Sequence, residues 1–166
     1  MKKHLLLAGT LIFSGILYAE KIVWNKDNNF NGWNNSYLAK RKIENGLLTL
    51  TEIKFDCRLL NIKVDIDPGK YNTFTFTYRA TGGLKKSGEF YFSHAGENFS
   101  DARRWVIPPL VADGQWHTVS ISPKNQKSWQ TGGNIKSLRF DPTNSAGGKI
   151  EIREIILHHQ DAVKKN

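Results

Sequence analysis

Along most of this chain hydrophobic and polar positions alternate with a period of two, which sends successive side chains to opposite faces of an extended strand. Phe74, Phe76 and Tyr78 alternate with Thr73, Thr75, Thr77 and Arg79, and Phe90 and Phe92 alternate with Glu89, Tyr91 and Ser93. The same pattern sets Ile62, Val64 and Ile66 against Lys63, Asp65 and Asp67, and His117, Val119 and Ile121 against Trp116, Thr118 and Ser120. Leu138 and Phe140 alternate with Ser137, Arg139 and Asp141. Each run predicts a strand with one core face and one wet face. Ile150 and Ile152 begin another, but its apolar parity shifts to Ile155 and Leu157; a β-bulge near Arg153, or burial on both faces, accounts for the shift.

Turn residues separate these runs. Asn45-Gly46, Asp67-Pro68-Gly69, Gly82-Gly83, Asp113-Gly114, Gly132-Gly133 and Gly147-Gly148 offer the positive or fixed φ that reversals need. Strands recurring every 8–12 residues or so are those of an antiparallel sandwich or barrel. After residue 19 no apolar stripe has helical spacing. The reading is all-β: about eight or nine strands in two antiparallel sheets, forming one domain over residues 20–159, with a solvated tail at 160–166.

The first residues stand apart. Lys2 and Lys3 precede an apolar or small stretch from Leu5 to Leu17, and Tyr18-Ala19 closes it. This is the order of a secretory signal peptide, with cleavage expected after Ala19 and the mature protein secreted or periplasmic. The stretch is shorter than the roughly 20 residues that span a bilayer, so no membrane span is expected once the leader is removed. The full chain has 166 residues, 24 Lys+Arg and 15 Asp+Glu, for a formal charge of +9. The leader takes away two lysines and no acid, leaving +7 on the folded part (22 cations against 15 acids). That surplus favours an anionic partner, acidic polysaccharide or cell-envelope phosphate, over nucleic acid for an exported protein; the densest basic cluster is only Lys40-Arg41-Lys42, which equally fits a solvated basic surface. With 39% hydrophobic residues, a disordered chain is excluded. Cys57 is the single cysteine, which rules out an intramolecular disulfide and reads as a small buried apolar residue.

Trp24, FNGW at 30–33, GLLTL at 46–50, PGKY at 68–71, FTYR at 76–79, GEFYF at 88–92, DGQWH at 113–117, Trp129, NIKSLRFDP at 134–142 and IEIREIIL at 150–157 follow one another in a familiar order. The series resembles the galactose-binding-like β-jelly-roll domains, which include carbohydrate-binding modules of bacterial glycoside hydrolases, over nearly the whole mature chain. The resemblance implies a two-sheet jelly-roll sandwich and a noncatalytic role in binding a polysaccharide or oligosaccharide. It also implies that Trp116 and Trp129 seal the sandwich ends. Such domains commonly carry an acidic residue in an I-D-x-I pattern near a structural calcium, but Arg153 stands at that place here. No cofactor is therefore expected, and Glu20, Asp141 and Glu154 remain as hard oxygen donors should calcium bind.

Sugar recognition calls for flat apolar area and converging planar polar groups. The outward positions of the alternating runs offer Arg79, Glu89, Tyr91 and Arg139 on one surface if their strands are neighbours, bordered by Arg103-Arg104-Trp105. In this reading Tyr91 and Trp105 are stacking surfaces, Arg79 and Arg139 donate to hydroxyl or carboxylate oxygens, and Glu89 accepts from hydroxyls or holds an arginine. Trp33 is a further ligand candidate, whereas Trp24 is read as core. The charge surplus makes a uronic acid a reasonable ligand. Motifs of hydrolytic, metal-dependent and nucleotide chemistry (GxSxG, HExxH, CxxC, the P-loop) are absent, and His158-His159 reads as an exposed pair. Two other functions stand behind glycan binding: a structural or protein-interaction subunit of an envelope complex, and a small glycan hydrolase using two of Glu89, Glu97 and Asp101.

Overall fold

The computed structural model describes residues 19–23, 32–33, 35–122 and 127–159. The leader expected at 1–19 falls almost wholly outside these residues, as do Trp24 and the tail at 160–166. The described strands are β1 (Ala19–Val23), β2 (Asn35–Tyr37), β3 (Lys40–Glu44), β4 (Leu47–Thr51), β5 (Arg58–Asn61), β6 (Thr73–Thr81), β7 (Gly88–His94), β8 (Arg104–Ile107), β9 (Asp113–Ile121), β10 (Ile135–Asp141) and β11 (Lys149–His158). A single helical turn, α1 (Lys127–Gln130), precedes β10.

These strands form two antiparallel sheets packed face to face as a jelly-roll sandwich. The first sheet runs β3-β4-β11-β6-β9, with β1 also on β11; the second runs β2-β5-β10-β7-β8. Alternation decides what lies between them. Phe74, Phe76 and Tyr78 of β6 are buried against Phe90 and Phe92 of β7 and Phe140 of β10. Phe74 stacks on Phe90 at 3.9 Å between ring centres, and Phe76 meets Phe140 edge-on at 5.0 Å. Trp129 on α1 closes one end: it is buried, and its Nε1 donates to the Tyr71 carbonyl at 2.8 Å. Buried His94 fixes α1 to β7, its two ring nitrogens lying 3.0 and 2.9 Å from the carbonyl oxygens of Gly133 and Ser128.

The parity shift in the last strand is a bulge. Between Ile152 and Glu154 the register of β11 against β6 slips. Arg153 is the extra residue, so Ile152, Ile155 and Leu157 all reach the core. On its other side β11 pairs with β4 through Ile152 and with β1 from Glu154 onward, so the bulge also marks a change of neighbour. Asn45-Gly46, one of the expected reversals, forms a two-residue hairpin between β3 and β4, both residues having positive φ (53° and 74°).

Several local expectations are overturned. Residues 62–67 are not a strand: β5 ends at Asn61, Ile62 is exposed, and only Ile66 returns, through a single bridge to Ile135. Leu59 and Asn61 are the inward residues of that segment. Asp113-Gly114 is not a reversal either. It opens β9 as a bulge, with Gly114 at φ 78° and two residues standing opposite Ala80. Asp141, expected on the wet face, is wholly buried. Gly88 permits a close approach of β7 to the end of β10, since a Cβ there would meet the Asp141 carbonyl oxygen at 2.3 Å. Among the described residues no helix is long and apolar enough to cross a membrane.

Candidate functional site

Register pairing lays two rows of side chains across the outer face of the second sheet. Leu60, Arg139, Tyr91 and Arg104 stand opposite one another on β5, β10, β7 and β8. Asp141, Glu89 and Val106 form the next row, and at the edge Tyr37 of β2 faces Arg58 of β5. Period two puts planar polar and aromatic groups side by side here because each strand sends its apolar set to the other face.

Arg139 is the hub. Its Nε donates to both Asp141 oxygens at 2.9 and 3.0 Å, and its Nη2 donates to Asp141 Oδ2 at 2.5 Å and to Asp56 Oδ1 at 2.6 Å. Its guanidinium lies 4.7 Å from the centre of the Tyr91 ring. Asp56 also accepts from Arg58 Nη1 at 3.2 Å, and the Arg58 guanidinium lies 4.6 Å from the Tyr37 ring centre. On the other side the Tyr91 hydroxyl donates to Glu89 Oε2 at 3.1 Å, Asn144 Nδ2 donates to the same oxygen at 3.4 Å, and Arg104 pairs with Glu89 Oε1. The network thus runs from Tyr37 to Arg104, every charged group held by a neighbour. Such mutual support fixes the rotamers a recognition surface needs before any ligand arrives.

Burial governs the protonation of Asp141. Its carboxylate is fully enclosed, and this raises its pKa to about 6 even though Arg139 pulls the other way. An unperturbed aspartate titrates near about 3.9. Between those values the folded protein holds a proton on Asp141 that the unfolded chain has released. The stability so supplied is complete below about pH 4 and is lost as pH rises through 6. Urea midpoints should therefore fall from pH 4 to pH 7 by more in the wild type than in Asp141→Asn, which lacks this titration; parallel curves would refute the assignment. Cys57, buried nearby, has its thiol pushed up to about 12 by burial first and then by Asp141 and Asp56, so it stays a neutral thiol at physiological pH.

Of the five expected ligand-binding residues, Glu89, Tyr91 and Arg139 share this face, and two do not. Arg79 lies on β6 in the other sheet, where its Nε is bound by Glu151, so the surface joining it to Glu89 does not exist. Trp105 points inward from β8 and stacks along Phe90 and Phe92 at 5.5 and 4.9 Å. It is core. Tyr91 is on the face but is only 8% exposed, because Arg139 lies over its ring and Phe99 packs on its edge at 6.4 Å. Trp33, the other candidate, is wholly buried. Trp116, expected to seal an end, sits half-buried on the outer face of the first sheet.

Residues that sequence reasoning passed over supply the accessible part of the site. Tyr37, 52% exposed, is an open aromatic, and Arg58 and Asp56 join it to Arg139. Only a signal too weak to use pointed to Tyr37, since β2 is three residues long and shows no alternation.

Of the donors considered for calcium, Asp141 and Glu154 lie apart, and the Glu20 side chain falls outside the described residues. Asp141 belongs to the second sheet and is engaged by Arg139, whereas Glu154 belongs to the first and accepts from Thr77 Oγ1 at 3.4 Å. Among the described residues no three acidic, histidine or cysteine side chains are grouped as metal ligands. The carboxylates considered for hydrolysis are each tied to an arginine: Glu89 and Asp101 to Arg104, and Glu97 to Arg103. Arg103 holds Glu97 below the usual carboxylate range, the wrong direction for a general acid.

No protein-family model matches the sequence, and no curated protein matches it. Solved structures do match. One is a variant of a family 29 carbohydrate-binding module complexed with cellulohexaose, at TM-score 0.59 and 10% identity, covering 86% of this chain and 91% of that one. A second variant of that module, complexed with mannohexaose, matches at TM-score 0.56 and 10% identity, covering 85% and 92%. A third family 29 structure matches at TM-score 0.56 and 11% identity, covering 85% and 89%. At such identities the likeness is one of fold, and it is the jelly-roll fold of carbohydrate-binding modules.

Proposed function

We propose that this protein is an exported, noncatalytic carbohydrate-binding domain that holds an oligosaccharide against the outer face of its second sheet. The observation that carries the reading is the in-register array of planar side chains on that face, with Tyr37 open at one end and arginine–carboxylate pairs beside it. Tyr37 offers an apolar ring to the C–H face of a pyranose. Arg58, Asp56, Arg104 and Glu89 offer donors and acceptors to its hydroxyls, and Tyr91 supports Arg139 from beneath. Export is supported by the leader pattern, and the neighbours complexed with cellulohexaose and mannohexaose support an oligosaccharide as the ligand.

Charge favours a neutral sugar here. Three arginines, Arg58, Arg104 and Arg139, face four carboxylates, Asp56, Asp101, Asp141 and Glu89. The surplus positive charge of the chain therefore lies off this face, and the acidic-glycan preference expected from composition has no support on it.

Titration calorimetry with gluco- and manno-oligosaccharides tests the reading. Tyr37→Ala should weaken binding about tenfold, the loss expected for one stacking contact of roughly 1–1.5 kcal/mol. Its melting transition should barely move, because the ring is half exposed at a sheet edge. Failure of the wild type to bind any neutral oligosaccharide, or full binding by the variant, would overturn the proposal.

A further inference from the structure

Arg79 belongs to a second constellation on the far side of the sandwich. Lys42, Thr49, Glu151, Arg79 and Trp116 stand in register across β3, β4, β11, β6 and β9, forming one row on the outer face of the first sheet. Two guanidiniums converge on the Trp116 ring, that of Arg153 at 4.0 Å from its centre and that of Arg79 at 5.0 Å. The β11 bulge produces this arrangement: the extra residue lets Arg153 face outward, close to the Glu151–Arg79–Trp116 row. Beside the stack is a cavity of about 330 Å³ lined by Arg79, Ala80, Thr81, Gly114, Lys149 and Glu151.

Among the lining residues two cations, Arg79 and Lys149, outnumber one carboxylate, Glu151, and the nearby Asp113 carboxylate is engaged by His117. Glu151 takes Arg79 on one carboxylate oxygen and Lys149 on the other, the latter at 2.8 Å. One carboxylate thus orients two cations over the cavity. Arg153 does not line the cavity but adds a third cation on the Trp116 ring beside it, and no salt bridge to a carboxylate among the described residues engages it. A guanidinium lying on an aromatic ring still presents its in-plane N–H donors outward, in the fork geometry that matches a carboxylate or a sulfate. The volume is at the low end for small-ligand sites, of the order of 300–1,000 Å³, and admits one sugar ring. The Thr81 hydroxyl and the Glu151 carboxylate are the polar groups that would meet its hydroxyls.

We propose that this cavity is a second ligand site, which takes a saccharide unit bearing an anionic group, a carboxylate or a sulfate ester. The saccharide part rests on the reading of the domain as glycan-binding; the anionic part rests on the Arg79, Lys149, Arg153 and Glu151 arrangement alone. Because the two sites lie on opposite sheets, one domain can engage a neutral and an anionic segment at once.

Calorimetry of the mature chain separates the two sites, using a galacturonic acid trisaccharide, a sulfated disaccharide, uncharged counterparts of each, and sodium sulfate. At least one charged saccharide should bind tenfold or more tightly than its uncharged counterpart, and the preference should fall as salt is raised. Whether carboxylate or sulfate ester binds identifies the source. Arg153→Ala, at an exposed bulge position, should remove most of that preference while neutral oligosaccharides still bind, and the charged saccharide should still bind to Tyr37→Ala. The proposal is overturned if charged and uncharged sugars bind alike, if Arg153→Ala binds the charged sugar as well as the wild type does, if Tyr37→Ala loses it, or if sodium sulfate matches the sugars. A failure of this kind with neutral binding intact leaves the first site standing; loss of neutral binding alone strikes only the first site.

Discussion

Arg139→Ala should lose about 3 kcal/mol of stability at pH 8 and much less at pH 5, together with oligosaccharide binding. At pH 8 the variant leaves the Asp141 carboxylate enclosed without its guanidinium, and an unpaired buried charge costs on the order of 3–5 kcal/mol. Only 16% of the Arg139 side chain and none of the Asp141 side chain is exposed, so water does little to compensate. At pH 5 the carboxyl is mostly protonated. Burial already raises it to about 6 with Arg139 present, and removing the cation raises it further. The missing partner then matters less. Arg139→Ala/Asp141→Asn should recover a large part of the pH 8 loss, because a neutral amide replaces the orphaned charge. Urea unfolding of the three proteins at the two pH values checks this, and an equal loss for Arg139→Ala at both pH values would show that Asp141 is not the cause. Binding should not recover in the double variant. Arg139 also holds Asp56, which holds Arg58 beside Tyr37, so its loss loosens the accessible end of the site.

The second large effect falls where composition suggested a ligand contact. Trp105→Ala should destabilise the domain by about 3–5 kcal/mol, the range for emptying a large aromatic from a core. Its ring lies along Phe90 and Phe92 and meets Trp129 edge-on at 5.1 Å, so its removal opens a void between β8 and the α1 end of the sandwich. Neutral oligosaccharides should still bind to the fraction that folds, since the ring is on the opposite face of β8 from Arg104. A near-unchanged unfolding midpoint with lost binding would reverse this assignment and restore Trp105 to the site.

The two residues show what local pattern conveys and what it omits. Alternation through β6, β7 and β10 placed Phe74, Phe76, Phe90, Phe92 and Phe140 in the core, and the broken parity around Arg153 marked the position at which register then showed a bulge rather than burial on both faces. These are properties of a strand and its own two faces. The same logic was available for Trp116, which alternates with His117 and Val119 and so faces outward, and for Trp105 and Ile107, which share one face of β8. Large aromatics invited a reading by residue type instead, in one case as packing and in the other as a ligand contact.

Pattern also misled where an apolar alternation fell out of phase with the strand before it. Ile62, Val64 and Ile66 have the right spacing, yet the chain leaves β5 at Asn61 although β10 continues to Ile135; Leu59 and Asn61 are the inward residues, so continued pairing would turn Ile62 and Val64 to the outer face.

By itself the sequence determined an all-β chain with alternating faces, a reversal at Asn45-Gly46, a break of apolar parity near Arg153 and a surplus of positive charge, since each follows from neighbouring residues or from composition. Only the tertiary structure decided that Arg79 and Arg139 lie on opposite sides of the sandwich, that Tyr91 is covered by Arg139, and that Tyr37 stays open beside Arg58. Those facts depend on strand order, on which β6 joins β11 and β9 while β7 joins β10 and β8. That order is set by packing between segments far apart in the chain, which no local period encodes.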